Sequence, residues 1–540
     1  VANGFSWAGA KEAFTTVHEQ WWLPLLWISY MLDIEIFGPG PFGHHLVNLL
    51  LHALNTALLF GALRRLTGSR WRSAFVAALF AWHPTRVEAV AWIAARKDVL
   101  SGLFFMLTLW LYSRQAGQPS ARRMALIFLL MLLGLMTKAI LIIVPPILLL
   151  LDFWPLRRVP KLWGPGMGRA WWPLWREKSL LILLAAVFVG INLSTHTTGR
   201  GSGAGLSALT RLALIAPNYL DYLGKLAMPI RLSGYYPEHD VVSWPLTCAA
   251  LLGLAGVTWL VVRQADRRPY WLTGWAWFLV GLFPVIRGVR LGIAHYTDRW
   301  NYLPLIGLAL ALAWTLAEWG GRPVLRRGIV VSCGMILALC LFKAHAYLPW
   351  WRNSLVWFGR AVYLAPGTSF GRNSLGQALM DAGRTEEALE HFKAAVREQP
   401  TNGKYLTNLG VALLQLGRAE EALIIQDEAL RHEPDRANIH NNRGRALRAL
   451  GREAEAQAEF EEALRREPDH PEAHYNLGYQ MFEAGRFEEA LPHFQKAVAG
   501  RPRNATMWYN LGMAYAELGR FADAKDCVFK TLEIDPRHEL

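Results

Sequence analysis

Cysteine is scarce. Cys248, Cys333 and Cys340 lie in apolar runs and Cys527 in a repeat, with no CxxC pair among the four in 540 residues. That excludes a disulfide framework and a thiolate metal site. P-loop and HExxH motifs are absent as well, and a nucleotide-sugar-binding Rossmann domain is not expected. Acidic residues are few in the first 366 residues, 14 against 34 Lys+Arg, whereas residues 367–540 carry 28 acidic and 22 basic residues. A chain of this length with two charge regimes implies at least two domains.

Hydrophobic residues make up 53% of the chain, and there are 25 tryptophans. A basic, apolar, Trp-rich half fits nucleic acid or membrane. Long apolar runs such as 123–135 and 329–347 exclude a nucleic-acid binder. Ten runs read as spans: 46–63, 73–83, 99–112, 123–135, 140–153, 178–194, 246–263, 270–286, 302–318 and 329–347. Several fall short of the usual ~20 residues, and 73–83 is the weakest. Basic clusters occupy the loops 64–72, 113–123, 157–178, 262–268 and 320–328, which is every second loop. The positive-inside rule puts these in the cytoplasm. It puts 1–43, 84–98, the turn 136–139, 195–245, 287–301 and the C-terminal repeats on the periplasmic or lumenal side. An outer loop at 1–43 predicts a further span upstream of Val1. The expected domains are 1–43 (outer loop), 44–348 (membrane domain), 349–366 (linking helix) and 367–540 (repeats).

The repeats are unambiguous. Pro366, Pro400, Pro434, Pro468, Pro502 and Pro536 recur every 34 residues, in step with Gly383, Gly417, Gly451, Gly485 and Gly519 and with Ala388, Ala422, Ala456, Ala490 and Ala524. This is the period of the TPR, a helical hairpin with Gly at the turn, Ala where the helices touch and Pro after the second helix. Five stacked repeats form a solenoid whose concave face suits an extended peptide. The column Ser374, Asn408, Asn442, Asn476 and Asn510 resembles the asparagine ladder of O-GlcNAc transferase TPRs, which implies peptide-backbone binding. The alternative is that these amides tie helices together.

Chemistry is expected where ionisable residues face outward at membrane depth. The densest segment, HPTRVEAVAWIAARKD (83–98), holds His83, Arg86, Glu88, Arg96, Lys97 and Asp98. A carboxylate here suits a base or metal ligand, and Arg or Lys suits neutralisation of a lipid phosphate. Charge snorkelling at a membrane boundary is the bland alternative. A second cluster, HYTDRWNYLP, brings His295, Asp298, Arg299 and Tyr302, preceded by Arg287 and Arg290, and reads as a phosphate clamp. Asp298 equally suits a structural partner of Arg299. Lys138 sits at the outer end of two spans, and Asp33, Glu35, His44 and His45 close the first loop.

The strings WWLPLLWISYMLDIEIFG, GHHLVNLLLHALNTALLF, HPTRVEAVAWIAARKDVLSGLFF, LLLLDFWPL and YTDRWNYLPLIGL resemble bacterial transmembrane-and-TPR proteins related to the TPR-containing O-mannosyltransferases. The likeness covers nearly the whole chain. It implies an all-α chain, with a GT-C-type transmembrane bundle followed by a TPR solenoid. It also implies transfer of a mannose-like sugar from a polyprenyl-phosphate donor to hydroxyls of exported proteins, at a bacterial inner membrane with the TPRs in the periplasm. On that reading Glu88 and Asp98 are catalytic, Glu88 being the possible ligand of a divalent metal (Mg or Mn). Arg96, Lys138, Arg287, His295 and Arg299 bind the donor phosphate, while His83, Asp298 and Tyr302 support them. The family's main carboxylate lies early in the first outer loop. Asp33 and Glu35 stand late in that loop, and Tyr30 stands where relatives often have His. Two other functions fit the same features: a non-catalytic membrane scaffold assembling periplasmic proteins, and a lipid-linked glycan ligase. The short late loop 287–301 counts against the ligase.

Overall fold

The computed structural model describes residues 4–17, 22–159, 167–196, 207–236, 242–286 and 297–538. Among them every regular element is helical, and the chain divides into two units, Val1–Asn353 and Ser354–Leu540.

The first unit contains α1 (Trp7–Thr15), α2 (Pro24–Phe37), α3 (Pro41–Thr67), α4 (Arg70–Trp82), α5 (Val87–Ala91), α6 (Arg96–Gln115), α7 (Ala121–Leu135), α8 (Val144–Phe153), α9 (Met167–His196), α10 (Ala208–Ala227), α11 (Trp244–Arg263), α12 (Pro269–Leu282), α13 (Pro304–Trp319) and α14 (Pro323–Tyr347). Each of the ten expected runs falls largely on a helix, with 270–286 running four residues past α12. Among the described residues four segments are long and apolar enough to cross a membrane, Pro41–Thr67, Gly168–Ser194, Trp244–Arg263 and Pro323–Trp351. Local chemistry sets their ends. In α3, Pro41 opens the first turn, while Gly68 closes the helix in the left-handed region at φ 67 and donates to the Arg64 carbonyl at 2.9 Å. Arg64 and Arg65 stand on the last turn, where the helix dipole is negative.

The core of this unit is formed by α3, α4, α6, α7, α8, α12 and α13, around Phe80, Phe105, Leu109, Trp277 and Ile306. A Cβ at Gly274 would collide with the Gly307 carbonyl and one at Gly307 with the Gly274 carbonyl, so α12 and α13 approach backbone to backbone. By contrast α11 and α14 expose Leu251, Leu252, Val330, Met335 and Phe342, the signature of helices bounded by lipid rather than protein. Two segments read as loops contain helices. Residues 1–43 carry α1 and α2, and 195–245 carries α10, which buries Tyr219 and Tyr222 while exposing Leu209 and Leu212. α10 is amphipathic, and α2 is short and carries Asp33 and Glu35, so neither reads as a span.

The second unit opens with α15 (Ser354–Leu364). Five hairpins follow: α16 (Ser369–Asp381) with α17 (Thr385–Glu398), α18 (Gly403–Gln415) with α19 (Ala419–His432), α20 (Ala437–Ala449) with α21 (Glu453–Arg466), α22 (Pro471–Glu483) with α23 (Phe487–Gly500), and α24 (Ala505–Glu517) with α25 (Phe521–Ile534). Gly383, Gly417, Gly451, Gly485 and Gly519 turn each hairpin at φ 71 to 74, a region costly for any residue with a Cβ. Ala388, Ala422, Ala456 and Ala490 are fully buried at the helix contacts. A periodic lock went unread in the sequence. The side chains of Arg372, His440, His474 and Trp508 each hydrogen-bond the carbonyl of the proline six residues back, at 2.7 to 3.0 Å.

Candidate active site

The turn after α4 begins at His83, whose Nδ1 meets Thr85 Oγ1 at 2.9 Å and whose Nε2 meets the Leu226 carbonyl at 3.1 Å. His83 thereby ties this turn to the end of α10. A 3-10 turn (Pro84–Arg86) leads into α5, the helix that carries Glu88. Glu88 is fully buried. Its Oε1 accepts from the Arg299 guanidinium at 2.6 Å and its Oε2 from the Arg299 backbone N–H at 3.0 Å. Arg299 Nε lies 3.6 Å from Asp98 Oδ2, and Asp98 Oδ1 accepts from Lys138. The Arg299 guanidinium also stands 4.5 Å from the Trp92 ring centroid. Four expected site residues drawn from three chain segments, Glu88, Asp98, Lys138 and Arg299, therefore form one chain of alternating charge.

Tyr302 borders this group. Its hydroxyl meets His52 Nδ1 at 2.9 Å and accepts from Asn55 Nδ2 at 3.0 Å. Asp98, Lys138, Arg299 and Tyr302 line a cavity of about 10 Å³, room for about one water. Next to Arg299, Asp298 accepts from the Tyr236 hydroxyl at 2.9 Å on both carboxylate oxygens, with Lys225 Nζ 3.4 Å away. Its partners are therefore Tyr236 and Lys225, from the expected outer loop 195–245, and not Arg299. Burial raises the pKa of both Glu88 and Asp298 above the ordinary carboxylate range; Arg299 opposes the shift at Glu88 and Lys225 opposes it at Asp298.

Arg96 belongs to a different group. Fully buried, it donates to Asp33 at 2.6 Å, to the His44 carbonyl at 2.8 Å and to Asn48, while His44 Nδ1 also meets Asp33 at 2.7 Å. The structure thus separates Arg96 from Lys138 and Arg299, with which the phosphate reading had grouped it. A two-residue offset on α6 is about 200° around the helix axis, so Arg96 and Asp98 leave the helix toward different neighbours. Arg287, Arg290 and His295 lie outside the described residues. Among the described residues no group of three His, Cys, Asp or Glu side chains stands ready for a metal ion. The space between Glu88 and Asp98 is taken by the Arg299 guanidinium, so these residues do not fit a metal.

In the second unit the Asn column turns one amide hydrogen toward the preceding repeat. Asn408 donates to Asn373 at 2.9 Å, Asn476 to Asn441 at 2.8 Å and Asn510 to the Tyr475 hydroxyl at 2.6 Å. Asn442 accepts from Arg445 at 3.1 Å, and Ser374, half-buried, opens the column.

A family model described as dolichyl-phosphate-mannose-protein mannosyltransferase matches residues 25–166, the stretch that holds Glu88, Asp98 and Lys138. Tetratricopeptide repeat models match 373–437, 435–503 and 481–540. Protein O-mannosyl-transferase Tmtc3 of Drosophila melanogaster is 24% identical over 450 residues, which cover 70% of this chain and 48% of the fly protein. This chain is a relative of the TPR-containing protein O-mannosyltransferases. Protein O-mannosyl-transferase TMTC1 of Mus musculus is 40% identical over 147 residues, 26% of this chain and 15% of the mouse protein. The chain thus aligns with less than half the length of either relative. A crystallised thermophilic TPR protein from Thermus thermophilus covers 32% of this chain and 93% of its own length, at 23% identity and a TM-score of 0.30. With its apolar helices and these relatives, the chain is a membrane protein of all-α class, a transmembrane bundle followed by a TPR solenoid.

Proposed function

We propose that the membrane unit transfers a mannose-like sugar from a polyprenyl-phosphate donor to hydroxyl groups of exported polypeptides, which the TPR unit holds. The observation that carries this reading is the buried Glu88–Arg299–Asp98–Lys138 chain, three of whose members lie within the mannosyltransferase match. In the proposed step the acceptor oxygen bonds to the sugar's C1 as the C1–O bond to phosphate breaks. The bonding electrons leave with the polyprenyl phosphate. The hydroxyl proton passes to Glu88, whose raised pKa suits a proton acceptor near neutral pH. Lys138 and Arg299 stabilise the charge on the departing phosphate, and Asp98 positions both. Arg96 acts at a distance, fixing the start of α6 through Asp33, and Tyr302 braces α3 against the Arg299 segment. The basic loops lie in the cytoplasm and the site and TPRs in the periplasm.

The test uses intact protein in native membranes, a polyprenyl-phosphate sugar and a periplasmic extract. Glu88→Gln keeps the side chain's shape and loses its charge, so transfer should fall by roughly 10²–10⁴-fold with the fold retained. Arg299→Lys keeps charge without the bidentate fork and should impair transfer partially. Wild-type transfer by both Glu88→Gln and Arg299→Ala would overturn the site. No transfer by the wild-type protein from any donor would favour the scaffold.

A further inference from the structure

Where three of the basic loops meet lies a cavity of about 360 Å³ that shares no lining residue with the chemistry above. Three arginines from three separate loops line it: Arg72 at the start of α4, Arg157 after α8 and Arg267 before α12. Its apolar walls are Trp154, Tyr270 and Trp314. Among the described residues, none of the three arginines has an acidic partner. Their neighbours differ in this respect. Arg158 is drawn inward to Asp152 at 3.0 Å and Glu177 at 2.7 Å, and Arg268 pairs with Glu318 at 2.8 Å.

The backbone enforces that division. Arg158 N–H donates to the Asp152 carbonyl at 2.8 Å, and Asp152 is itself fully buried against Lys178 at 2.7 Å. With Arg158 pinned inward, Arg157 is held at φ 51, a left-handed conformation rare for a residue with a Cβ, and it lines the cavity. Arg72 is restrained too, its guanidinium 5.5 Å from the Trp314 ring centroid. Three arginines around an aromatic-walled recess, none of them in an ion pair among the described residues although Glu318 bonds the Tyr270 hydroxyl in its wall, match a phosphate group on an amphipathic molecule. Guanidinium binds phosphate through paired N–H donors, and Trp and Tyr favour the level of lipid head groups.

We propose that this recess binds the phosphate head group of one anionic phospholipid from the leaflet that faces the basic loops, separately from the donor site. The test titrates purified intact protein with phosphatidylglycerol or phosphatidylcholine and counts retained lipid by native mass spectrometry. Wild-type protein should retain one phosphatidylglycerol in preference to phosphatidylcholine. Arg72→Ala/Arg157→Ala/Arg267→Ala should lower that retention by about tenfold or more. Arg326→Ala/Arg327→Ala removes exposed charge elsewhere among the basic loops and should retain lipid like wild type. The milder Arg157→Gln/Arg267→Gln pair, checked for helix content by circular dichroism, serves if the triple variant misfolds. Equal retention by the recess and Arg326/Arg327 variants, or equal retention of phosphatidylcholine, would overturn the site. Displacement of the lipid by millimolar inorganic phosphate would overturn the lipid assignment in favour of a soluble phosphate ligand.

Discussion

In the repeat unit an arginine returns every 34 residues and finds a carboxylate three residues on: Arg384 with Glu387, Arg418 with Glu421 and Arg452 with Glu455 at 2.6 Å, and Arg520 with Asp523 at 2.7 Å. In the membrane unit Arg299 reaches Glu88 across 211 residues and Arg96 reaches Asp33 across 63. The contacts are of similar length, yet their physics differs. The repeat pairs lie in water, where solvent screens the attraction and ordering two long side chains costs what the contact gains. The membrane pairs have no water to fall back on, so removal of one partner strands the other. Local periodic pairs decorate a helix. Distant buried pairs decide where helices meet.

The sharpest way to break this contrast is Arg96→Ala, which leaves Asp33 buried beside a lost cation. It should destabilise the membrane unit by about 3–5 kcal/mol, read as a lowered thermal midpoint of the purified protein. A shift no larger than that of an exposed arginine would mean that water already reaches the pair. A pH profile probes the second buried pair. Glu88 must be ionised to accept a proton, and burial holds its pKa above the usual ~4.3. Transfer should therefore fall with decreasing pH through a limb well above that value, and Arg299→Ala, which removes the opposing charge, should move the limb higher. A limb at the ordinary carboxylate position would contradict the burial argument.

The Asn column lies between the two extremes. Asn442→Ala/Asn476→Ala should weaken binding of an extended acceptor peptide by roughly 0.5–1.5 kcal/mol per lost hydrogen bond. Because Asn476 also donates to Asn441, a modest drop in thermal midpoint should accompany it. Loss of stability with unchanged peptide affinity would assign the column to inter-repeat bonding alone. The smallest effect is expected at Arg418→Ala, where the exposed pair with Glu421 should leave the thermal midpoint within measurement error.

The repeat unit was legible because its determinants are local. A glycine forced to positive φ, an alanine at a helix contact and a proline after a helix each act within a few residues of themselves, so a 34-residue period displays them directly. The helices beneath the ten apolar runs were legible for the same reason, since an apolar stretch is a property of one helix at a time. Helices α1, α2 and α10 were not: α1 and α10 are amphipathic, and α2, though apolar, is only 14 residues long and carries Asp33 and Glu35.

For the candidate site, the residue types could be read from sequence, and Glu88, Asp98, Lys138 and Arg299 were named on that basis. Which charges meet could not. Arg96 is two residues from Asp98 and separated from its cluster, and the partners of Asp298 turned out to be Tyr236 and Lys225. Likewise Arg157 and Arg158 are neighbours in sequence with opposite surroundings, one lining the basic recess and one paired with Asp152. The sequence by itself determined the helices, the repeat and the distribution of charge between loops, since each depends on residues close along the chain. The pairing of buried charges was decided by tertiary structure alone, because Coulomb energy in a dry interior depends on distance in space and is indifferent to distance along the chain.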